Sequence, residues 1–251
     1  MRVLIFYPTD RRLRMERQER LWQGGPCFSY DIDLFPPTTD SFALAWFARV
    51  RRGERVADLG SGTGLLGILL LAREPTLTLT CVEQSAAATA LAEKNFRENG
   101  WAERAVLRCG DLRAADVLPP AGSMDCVLSN PPYFPVGSGA SAANAARQTA
   151  REECSCTLPE LCAAAARVLR WGGRFALVHR PERLVDLLCA LRESGMEPKR
   201  LRFLVSAPES APSLALIEAR RGGKSGLVIE PPLVVGSAEW DEVYFRSRGD
   251  A

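Results

Sequence analysis

The residues with the clearest chemical potential are Asn130-Pro131-Pro132-Tyr133, which follow the apolar run from Met124 to Ser129. Each proline removes a backbone donor and restricts the residue before it to extended geometry, so the run cannot continue as strand or helix. The sequence therefore predicts a rigid turn at the carboxyl end of a strand. An amide oxygen and backbone carbonyls there can accept hydrogen bonds from a planar amino group, and the tyrosine ring can stack on that group. Such a turn suits an enzyme that methylates the amino nitrogen of a base or an amide; the alternative is a plain strand-ending turn.

A second motif, Asp58-Leu59-Gly60-Ser61-Gly62-Thr63-Gly64, lies between a predicted strand and a predicted helix. A nucleoside pressed against backbone requires this absence of side chains, and Gly62-x-Gly64-x-x-Gly67 also fits a dinucleotide fingerprint. Two details favour S-adenosylmethionine over a dinucleotide. Asp58 opens the loop, where a carboxylate suits an ammonium group better than a pyrophosphate, and the third glycine follows the second by only two residues.

Two carboxylates follow the next two predicted strands. Glu83 ends the strand after the glycine loop, and Asp111 comes directly after the third strand. We expect Glu83 to accept hydrogen bonds from both ribose hydroxyls of the cofactor and Asp111 to meet its adenine amino group. A solvated carboxylate at a strand end is the alternative interpretation of each.

Composition narrows the function classes. The chain has 251 residues and a mass of 27.5 kDa, which allows one large domain or two small ones with a substantial core. Its hydrophobic content of 47% and charged content of 25% are typical of a soluble globular protein. Because the formal net charge is only +2, any nucleic-acid-binding surface must be local.

The metal-ligating residue types argue against a metal centre. The eight cysteines include no C-x-x-C pair, and Cys154-x-Cys156 has no histidine nearby. The single histidine, His179, ends a predicted strand and is interpreted as a structural or substrate-side residue. No apolar run approaches the roughly 18 residues of a membrane span, and the N-terminal run is too short for a signal peptide. These observations predict a reduced, cytoplasmic protein without a metal or membrane contact.

Strands alternate regularly with helices from residue 54 onward, which predicts a doubly wound, mostly parallel α/β sheet of seven strands. The last two strands are separated by too few residues for a helical crossover, so they should form an antiparallel pair. A further strand at 227–235 is kept out of the sheet interior by Pro231-Pro232. Gly172-Gly173 is expected to close a helix. The predicted strands are 55–59, 77–83, 105–109, 125–129, 174–179, 201–205 and 213–218, and the predicted helices are 41–49, 65–73, 85–99, 158–170 and 184–192.

The first 35 residues form a predicted Arg-rich extension, ahead of a catalytic domain at residues 36–251. Residues 9–24 predict a helix with one weakly apolar face, and residues 27–35 predict extended structure. Two basic sets are candidates for RNA contact, although a solvated charged face is the alternative for each. One set runs from Arg11 to Arg20, and the other comprises Lys199, Arg200, Arg202, Arg220, Arg221 and Lys224.

The two motifs carry a family resemblance. The segment from Asp58 to Gly64 resembles the first motif of class I S-adenosylmethionine-dependent methyltransferases, and Asn130 to Tyr133 resembles the catalytic motif of their amino-methylating branch. The chain is most similar to the bacterial valine-tRNA adenine N6-methyltransferases, although Pro36-Pro37-Thr38-Thr39-Asp40 departs from the approach to the first helix expected there. The segments that carry this similarity are 130–134, 150–153, 178–184, 198–203, 222–226 and 230–232.

This resemblance implies a Rossmann-like domain that uses S-adenosylmethionine to methylate the exocyclic amino group of an adenine in tRNA, near the anticodon. The implied catalytic residues are Asn130, Pro131, Pro132 and Tyr133, with Tyr133 stacking on the base. The implied cofactor contacts are Thr39, Asp58, Gly60, Ser61, Gly62, Gly64, Glu83, Gln84, Asp111, Leu112 and Asn130.

Four alternatives remain open. A glutamine N-methyltransferase of peptide-release factors would use the same turn, but its family carries a helical domain ahead of the glycine motif, where this chain has about 57 residues. An rRNA guanine N2-methyltransferase is the next alternative. A dinucleotide oxidoreductase would give Asn130 to Tyr133 no role, and a non-catalytic RNA-binding module would give the glycine loop none.

Overall fold

The computed structural model describes residues 16–31, 37–132 and 156–245. Within these ranges the strands and helices are numbered in chain order. The strands are β1 (Glu16–Arg20), β2 (Cys27–Asp31), β3 (Arg55–Leu59), β4 (Thr78–Glu83), β5 (Ala105–Cys109), β6 (Met124–Ser129), β7 (Leu169–His179), β8 (Met196–Val205), β9 (Leu214–Arg221), β10 (Val228–Ile229) and β11 (Leu233–Val234). The helices are α1 (Thr39–Phe47), α2 (Leu65–Arg73), α3 (Ala86–Glu98), α4 (Leu158–Val168), α5 (Leu184–Glu193) and α6 (Ala238–Val243), with single 3-10 turns at Ala102–Arg104 and Pro181–Arg183.

The central sheet has the order β10-β8-β9-β7-β6-β3-β4-β5, and β11 also pairs with β8. Strands β3 to β7 are mutually parallel where they pair, and β9 runs antiparallel to both β7 and β8. The doubly wound α/β fold and the antiparallel pair near the C-terminus are therefore confirmed. Seven longer strands carry the sheet, as predicted, and the two-residue strands β10 and β11 extend it at one edge.

Helices cover both faces of the sheet, which is why its central strands are apolar on both sides. Ile68 of α2 and Phe96 of α3 pack with Val56 of β3 on one face. Leu161 of α4 and Leu187 of α5 belong to the cluster on the other face, which includes the next residue of β3. All five side chains are fully or almost fully buried, so β3 lies at the centre of both packing layers.

The N-terminal prediction is wrong where the structure describes that segment. Residues 16–20 form a strand, not a helix, and pair antiparallel with β2 in a five-residue ladder. Side-chain amides of α3 satisfy the backbone of β2: Asn95 bonds both backbone groups of Ser29, and Asn99 bonds both of Cys27. These distant partners favour the extended form, and residues 9–15 lie outside the described ranges.

The hairpin of β1 and β2 belongs to the same core as the rest of the domain. Phe28 is fully buried and Tyr30 nearly so, and both pack in the cluster that contains Phe42 and Ile68. Residues 32–36, which include the predicted boundary between extension and domain, lie outside the described ranges. The described part of the extension is thus packed as an integral layer, not as an appendage.

The prediction that Gly172-Gly173 closes a helix is also wrong. Helix α4 ends at Val168, and both glycines lie within β7. The register of β6 with β7 shifts between Met124 and Cys126, so residues 170–173 bulge out of the ladder. Gly172 has a φ of 76°, the left-handed conformation that glycine adopts without a steric penalty.

The segment after β9 is clamped to the sheet edge by two arginines of β8. Arg200 forms ion pairs with Glu218 and Glu230, and Arg202 forms a two-pronged pair with Glu239. These two members of the second basic set therefore stabilise the fold through charge-assisted hydrogen bonds within the chain. Strands β10 and β11, separated by the two prolines, lie outside the sheet interior as expected.

We expect Phe28→Ala to lower the free energy of unfolding by about 3–5 kcal/mol, because it removes a fully buried ring from the main core. Arg17→Ala, at an exposed position of the same hairpin, should change it by less than about 0.5 kcal/mol. Urea unfolding followed by circular dichroism measures both. Equal stabilities for the two variants would show that the hairpin is not part of the folding unit.

Candidate active site

The two motifs meet because β3 and β6 are neighbours in the sheet. Asp58 pairs with Leu128 in the ladder, and the Ser129 hydroxyl donates a hydrogen bond to the Leu59 carbonyl at 2.7 Å. Strand β3 has β4 on its other side, so the chain turns in opposite directions from this pair. Ligands of open α/β sheets bind at such a switch point, beyond the carboxyl ends of the strands. The glycine loop and the Asn130 turn begin at that point.

Backbone bonds hold the glycine loop against β4. The amides of Gly60 and Ser61 both donate to the Val82 carbonyl, and the Gly62 amide donates to the Glu83 carboxylate at 2.9 Å. Glycines 60, 62 and 64 have φ values of 78°, 53° and 84°, which explains why glycine occupies every second position. The loop is therefore fixed in shape by backbone bonds and by one carboxylate.

Asn95 joins the glycine loop to the N-terminal hairpin, a role that the sequence analysis missed. Its side chain is fully buried, accepts from the Ser29 amide at 2.7 Å, and donates to the carbonyls of Ser29 and Thr63 at 2.9 Å each. Its amide thus makes three bonds to main-chain groups of two distant segments. The available signal was a polar residue on the apolar face that also carries Ala92 and Phe96.

Asp58 is also a buried polar residue, but unlike Asn95 it lacks hydrogen-bond partners in the described part of the chain. It is fully buried, and neither carboxylate oxygen has a hydrogen-bond partner in the described part of the chain. Burial, and secondarily the charge of Glu83, raises the pKa of Asp58 to about 8. An unpartnered buried carboxylate fits a cationic ligand group, as expected for a cofactor that carries an ammonium.

Glu83 has contacts within the protein as well as its predicted ligand role. Its two oxygens accept from the amides of Gly62 and Ser85, at 2.9 and 2.8 Å. An ionised carboxylate offers about four acceptor positions, so these two bonds are compatible with further bonds to hydroxyl groups. The ribose contact remains a prediction, and exposed Gln84 follows directly in the chain.

Asp111 is engaged by Arg113, a partner that the sequence analysis did not identify. The guanidinium contacts both carboxylate oxygens at 2.5–3.0 Å, and the Arg113 amide adds a bond of 2.8 Å. The Arg113 hydrogen bonds lower the pKa of Asp111. An adenine amino group would share this carboxylate with Arg113, and the contacts predicted for Asp111 and neighbouring Leu112 remain predictions.

The Asn130 side chain is held by Ser41, a residue of α1 that the sequence analysis missed. Its amide nitrogen donates to the Ser41 hydroxyl at 3.0 Å. Ser41 is buried, whereas Asn130 and Pro131 are partly exposed and Pro132 is exposed. Tyr133 lies outside the described residues, so its predicted stacking role stays a prediction.

Helix α1 is itself anchored by the segment that follows α6. The hydroxyls of Thr39 and Tyr244 lie 3.1 Å apart, and the Tyr244 ring stacks on Phe42 with 4.6 Å between centroids. Thr39 therefore has a role in holding α1, and its cofactor contact remains a prediction. Through this helix, the C-terminal segment supports the position of Ser41 and hence of Asn130.

His179 lies at the end of β7 and is almost fully buried. Its Nδ1 accepts a hydrogen bond from the Arg180 amide at 2.9 Å, and burial lowers its pKa. It is therefore a neutral imidazole at physiological pH, bonded to main chain, in agreement with the structural interpretation of this residue.

None of the helices in 16–31, 37–132 and 156–245 is both long and apolar enough to cross a membrane. Over the same residues, no group of three or more His, Cys, Asp or Glu side chains is arranged to hold a metal ion.

Comparison with known proteins identifies the family. Residues 41–186 match the model of the methyltransferase small domain. A tRNA1(Val) (adenine(37)-N6)-methyltransferase of Enterobacter sp. (strain 638) is 37% identical over 141 residues, 56% of each chain. The enzyme of the same name from Tolumonas auensis is 32% identical over 180 residues, 71% of this chain and 73% of the relative.

A solved structure gives the same fold. A predicted O-methyltransferase from Agrobacterium tumefaciens superposes with a TM-score of 0.68 at 20% identity, covering 82% of this chain and 96% of its own. At that identity the likeness concerns the fold alone, whereas the family model spans more than half of the sequence. The chain therefore belongs to the methyltransferase small-domain family.

Proposed function

We propose that this protein transfers a methyl group from S-adenosylmethionine to the exocyclic amino group of an adenine in tRNA, near the anticodon. The observation that carries this proposal is the adjacency of the Asn130 turn and the glycine loop across the β3–β6 pair. It is supported by the similarity to enzymes named for methylation of adenine 37 in tRNA1(Val). The cofactor supplies an electrophilic methyl group on a sulfonium.

The residues at the strand ends fit such a cofactor. Asp58 offers a buried carboxylate to an ammonium group, and Glu83 offers acceptors to ribose hydroxyls. The backbone at Gly60, Gly62 and Gly64 can be approached closely because these positions carry no side chain, and Asp111 with Leu112 would lie beside the adenine. These residues bind and orient the cofactor, and each has a fixed place in the protein before the cofactor arrives.

Asn130 and Pro131 act on the target amino group. Its lone pair is delocalised into the purine ring, so the nitrogen is a weak nucleophile while it stays planar. Hydrogen bonds from its two protons to the Asn130 side-chain oxygen and the Pro131 carbonyl would favour a tetrahedral nitrogen with an exposed lone pair. The Ser41 contact restrains the Asn130 amide, so catalysis depends on positioning. On transfer the nitrogen lone pair would form the N–C bond as the methyl's S–C bond breaks, with that electron pair staying on the sulfur of the departing S-adenosylhomocysteine, and the methylated nitrogen would release one proton to solvent.

The remaining substrate contacts follow from the same geometry. Pro132 stiffens the turn, and Tyr133 would stack on a base extruded from the RNA. A glutamine amide of a release factor and the amino group of guanine in rRNA present a similar pair of protons, so both fit the Asn130 site chemically. The named relatives favour adenine in tRNA.

We expect Asn130→Ala to lower turnover on unmodified tRNA at least about 100-fold, with S-adenosylhomocysteine affinity unchanged within a few-fold, since the amide acts mainly in the transition state. Asn130→Asp, which keeps an acceptor oxygen at this position, should retain more activity than the alanine variant. Nucleoside mass spectrometry of the tRNA measures the product. Methyl transfer to a purified release factor, with none to tRNA, would move the chain to the rival family.

Asp58 should make cofactor binding depend on pH. Its folded pKa of about 8 lies above the ordinary aspartate value of 3.8, so the unliganded protein keeps this carboxyl protonated at neutral pH. The stability that this group contributes therefore falls as pH rises from about 4 to 8. An ammonium ligand favours the ionised form. We therefore expect S-adenosylhomocysteine affinity to rise up to about tenfold per pH unit from 6 to 7.5.

Calorimetry in buffers of different ionisation enthalpy tests this expectation, because binding at pH 7 should release a proton. In Asp58→Asn, which cannot ionise, both the proton release and the pH dependence should disappear. A wild-type protein that binds without releasing a proton would contradict the role of Asp58 as the ammonium partner.

Asn95 and Asn99 form a matched pair for testing the loop. Each bonds β2, but only Asn95 also bonds the glycine loop, through the Thr63 carbonyl. Replacing either with Leu should destabilise the fold by about 1–3 kcal/mol, because buried backbone groups lose their partners. Only Asn95→Leu should also weaken S-adenosylhomocysteine binding, by roughly tenfold, which equals about 1.4 kcal/mol. Equal affinities in calorimetry would show that Thr63 needs no support from Asn95.

A further inference from the structure

We propose that the indole of Trp171 and nearby cations form a second contact surface for RNA, at the amino-terminal end of β7 and so at the opposite end of the parallel strands from the Asn130 turn. This surface, called the Trp171 surface below, comprises Trp171, Arg170, Lys199, Arg220, Arg221 and Lys224. The proposal rests on the proposed function, because it takes the substrate to be an RNA long enough to contact the protein at both ends of the parallel strands.

Trp171 is held in place on one side and open on the other. It lies in the bulge at the start of β7 and is 75% exposed. Its indole covers Gly222, where a Cβ would overlap the ring, and Gly222 has a φ of 64°. A tryptophan fixed against backbone with its other side in solvent can stack on an unpaired base without much further loss of conformational freedom.

The cations beside the indole have few acidic partners. Arg220 donates to the Gly172 carbonyl at 3.0 Å, and Arg221 donates to the Leu169 carbonyl. Lys199 donates to the Lys224 carbonyl at 2.9 Å. These bonds orient the side chains without neutralising their charge. In the part of the polypeptide that the structure describes, none of these three cations, nor Lys224, forms an ion pair with a carboxylate.

The acids nearby do not offset this excess. Arg170 and Arg55 share the single carboxylate of Asp125, and Glu197 is already paired with Arg192. The Trp171 surface is therefore locally basic, although the whole chain has a net charge of only +2. Concentrated arginine and lysine around an aromatic ring fit the phosphates and bases of RNA.

Packing alone accounts for only part of this arrangement. An aromatic ring laid across a glycine next to a neighbouring strand stabilises the strand pair, which explains why Trp171 covers Gly222, the residue that follows β9. It does not explain why Arg220 and Arg221, which bond carbonyls of the bulge on both sides of Trp171, form no ion pair in the described part of the chain. A leucine at position 171 would still cover the glycine but could not stack, so the two roles can be separated by substitution.

The Trp171 surface and the catalytic turn contact different parts of one RNA. The regular part of β7 runs from Arg174 to His179, which ends the strand beside the turn, and its five steps of about 3.3 Å cover roughly 16 Å. Trp171 lies in the bulge before Arg174, at the opposite end of the strand. A nucleotide whose base is in the active site cannot reach the indole. The contact should therefore matter for a whole tRNA and not for a short hairpin that carries only the target loop.

The test measures binding of an unmodified full-length tRNA transcript by Trp171→Ala, Trp171→Leu and Trp171→Phe. Affinity should fall about 5- to 100-fold in the Ala and Leu variants and stay near wild type in the Phe variant. Lys224→Ala should weaken binding and flatten its salt dependence, whereas Arg104→Ala, an exposed cation at the end of the 3-10 turn before β5, should do neither. S-adenosylhomocysteine affinity should not change in any of them.

A second arm uses a hairpin of the target loop alone. Trp171→Ala should methylate the hairpin at the wild-type rate but lose most of the preference for full-length tRNA. Unchanged tRNA binding in Trp171→Ala would overturn the proposal. A changed oligomeric state of this variant, with tRNA binding unaffected, would overturn it too. If wild-type protein methylates neither RNA, the proposed function fails; if Trp171→Ala loses the same fraction of activity on both, only this inference does.

Discussion

The pairing of β3 with β6 is the constraint on which the site depends. Each strand is buried on both faces, so their relative register is fixed by packing and by the ladder from Val56 to Asp58. The Ser129 bond to the Leu59 carbonyl joins the two strand ends directly before Gly60 and Asn130. A cofactor loop and a substrate turn from sequence positions about 70 residues apart thereby become neighbours without relying on the conformation of a long loop.

Two buried polar side chains show how the fold separates architecture from ligand binding. Asn95 has all its strong hydrogen-bonding groups matched to main chain, so it holds the hairpin, α3 and the glycine loop together. Asp58 is as deeply buried but has no protein partner in the described ranges, and this raises its pKa. The fully hydrogen-bonded amide of Asn95 fixes the geometry of the site. The unpartnered carboxylate of Asp58 instead costs stability in the free protein, and a cationic ligand that pairs with it would remove that cost and so bind more tightly.

Elements dictated by neighbouring residues could be predicted from the sequence, and those dictated by distant partners could not. The bounds of β3, α2 and β5 agree with prediction because apolar runs and glycines within each segment define them. The β1–β2 hairpin depends on amides of α3 that lie 66 and 72 residues away. Ser41 lies 89 residues from Asn130. Motif spacing identified Asp58 and Asn130, but the side chains that hold their surroundings required the packed structure.

The basic residues divide in a way that composition alone could not reveal. Arg200 and Arg202 lie on the same strand as Lys199, yet Arg202 is buried and Arg200 largely so. Each forms a two-pronged pair with a glutamate, and Arg202 stacks over Trp46 and Arg200 over Phe47. Such arginines contribute to folding and are closed to a polyanion. Arg220, Arg221 and Lys199 bond instead to carbonyl oxygens, which orient a cation without neutralising it. Partner type, and not the number of basic residues, therefore separates the cations that hold this fold together from those that remain charged toward an RNA.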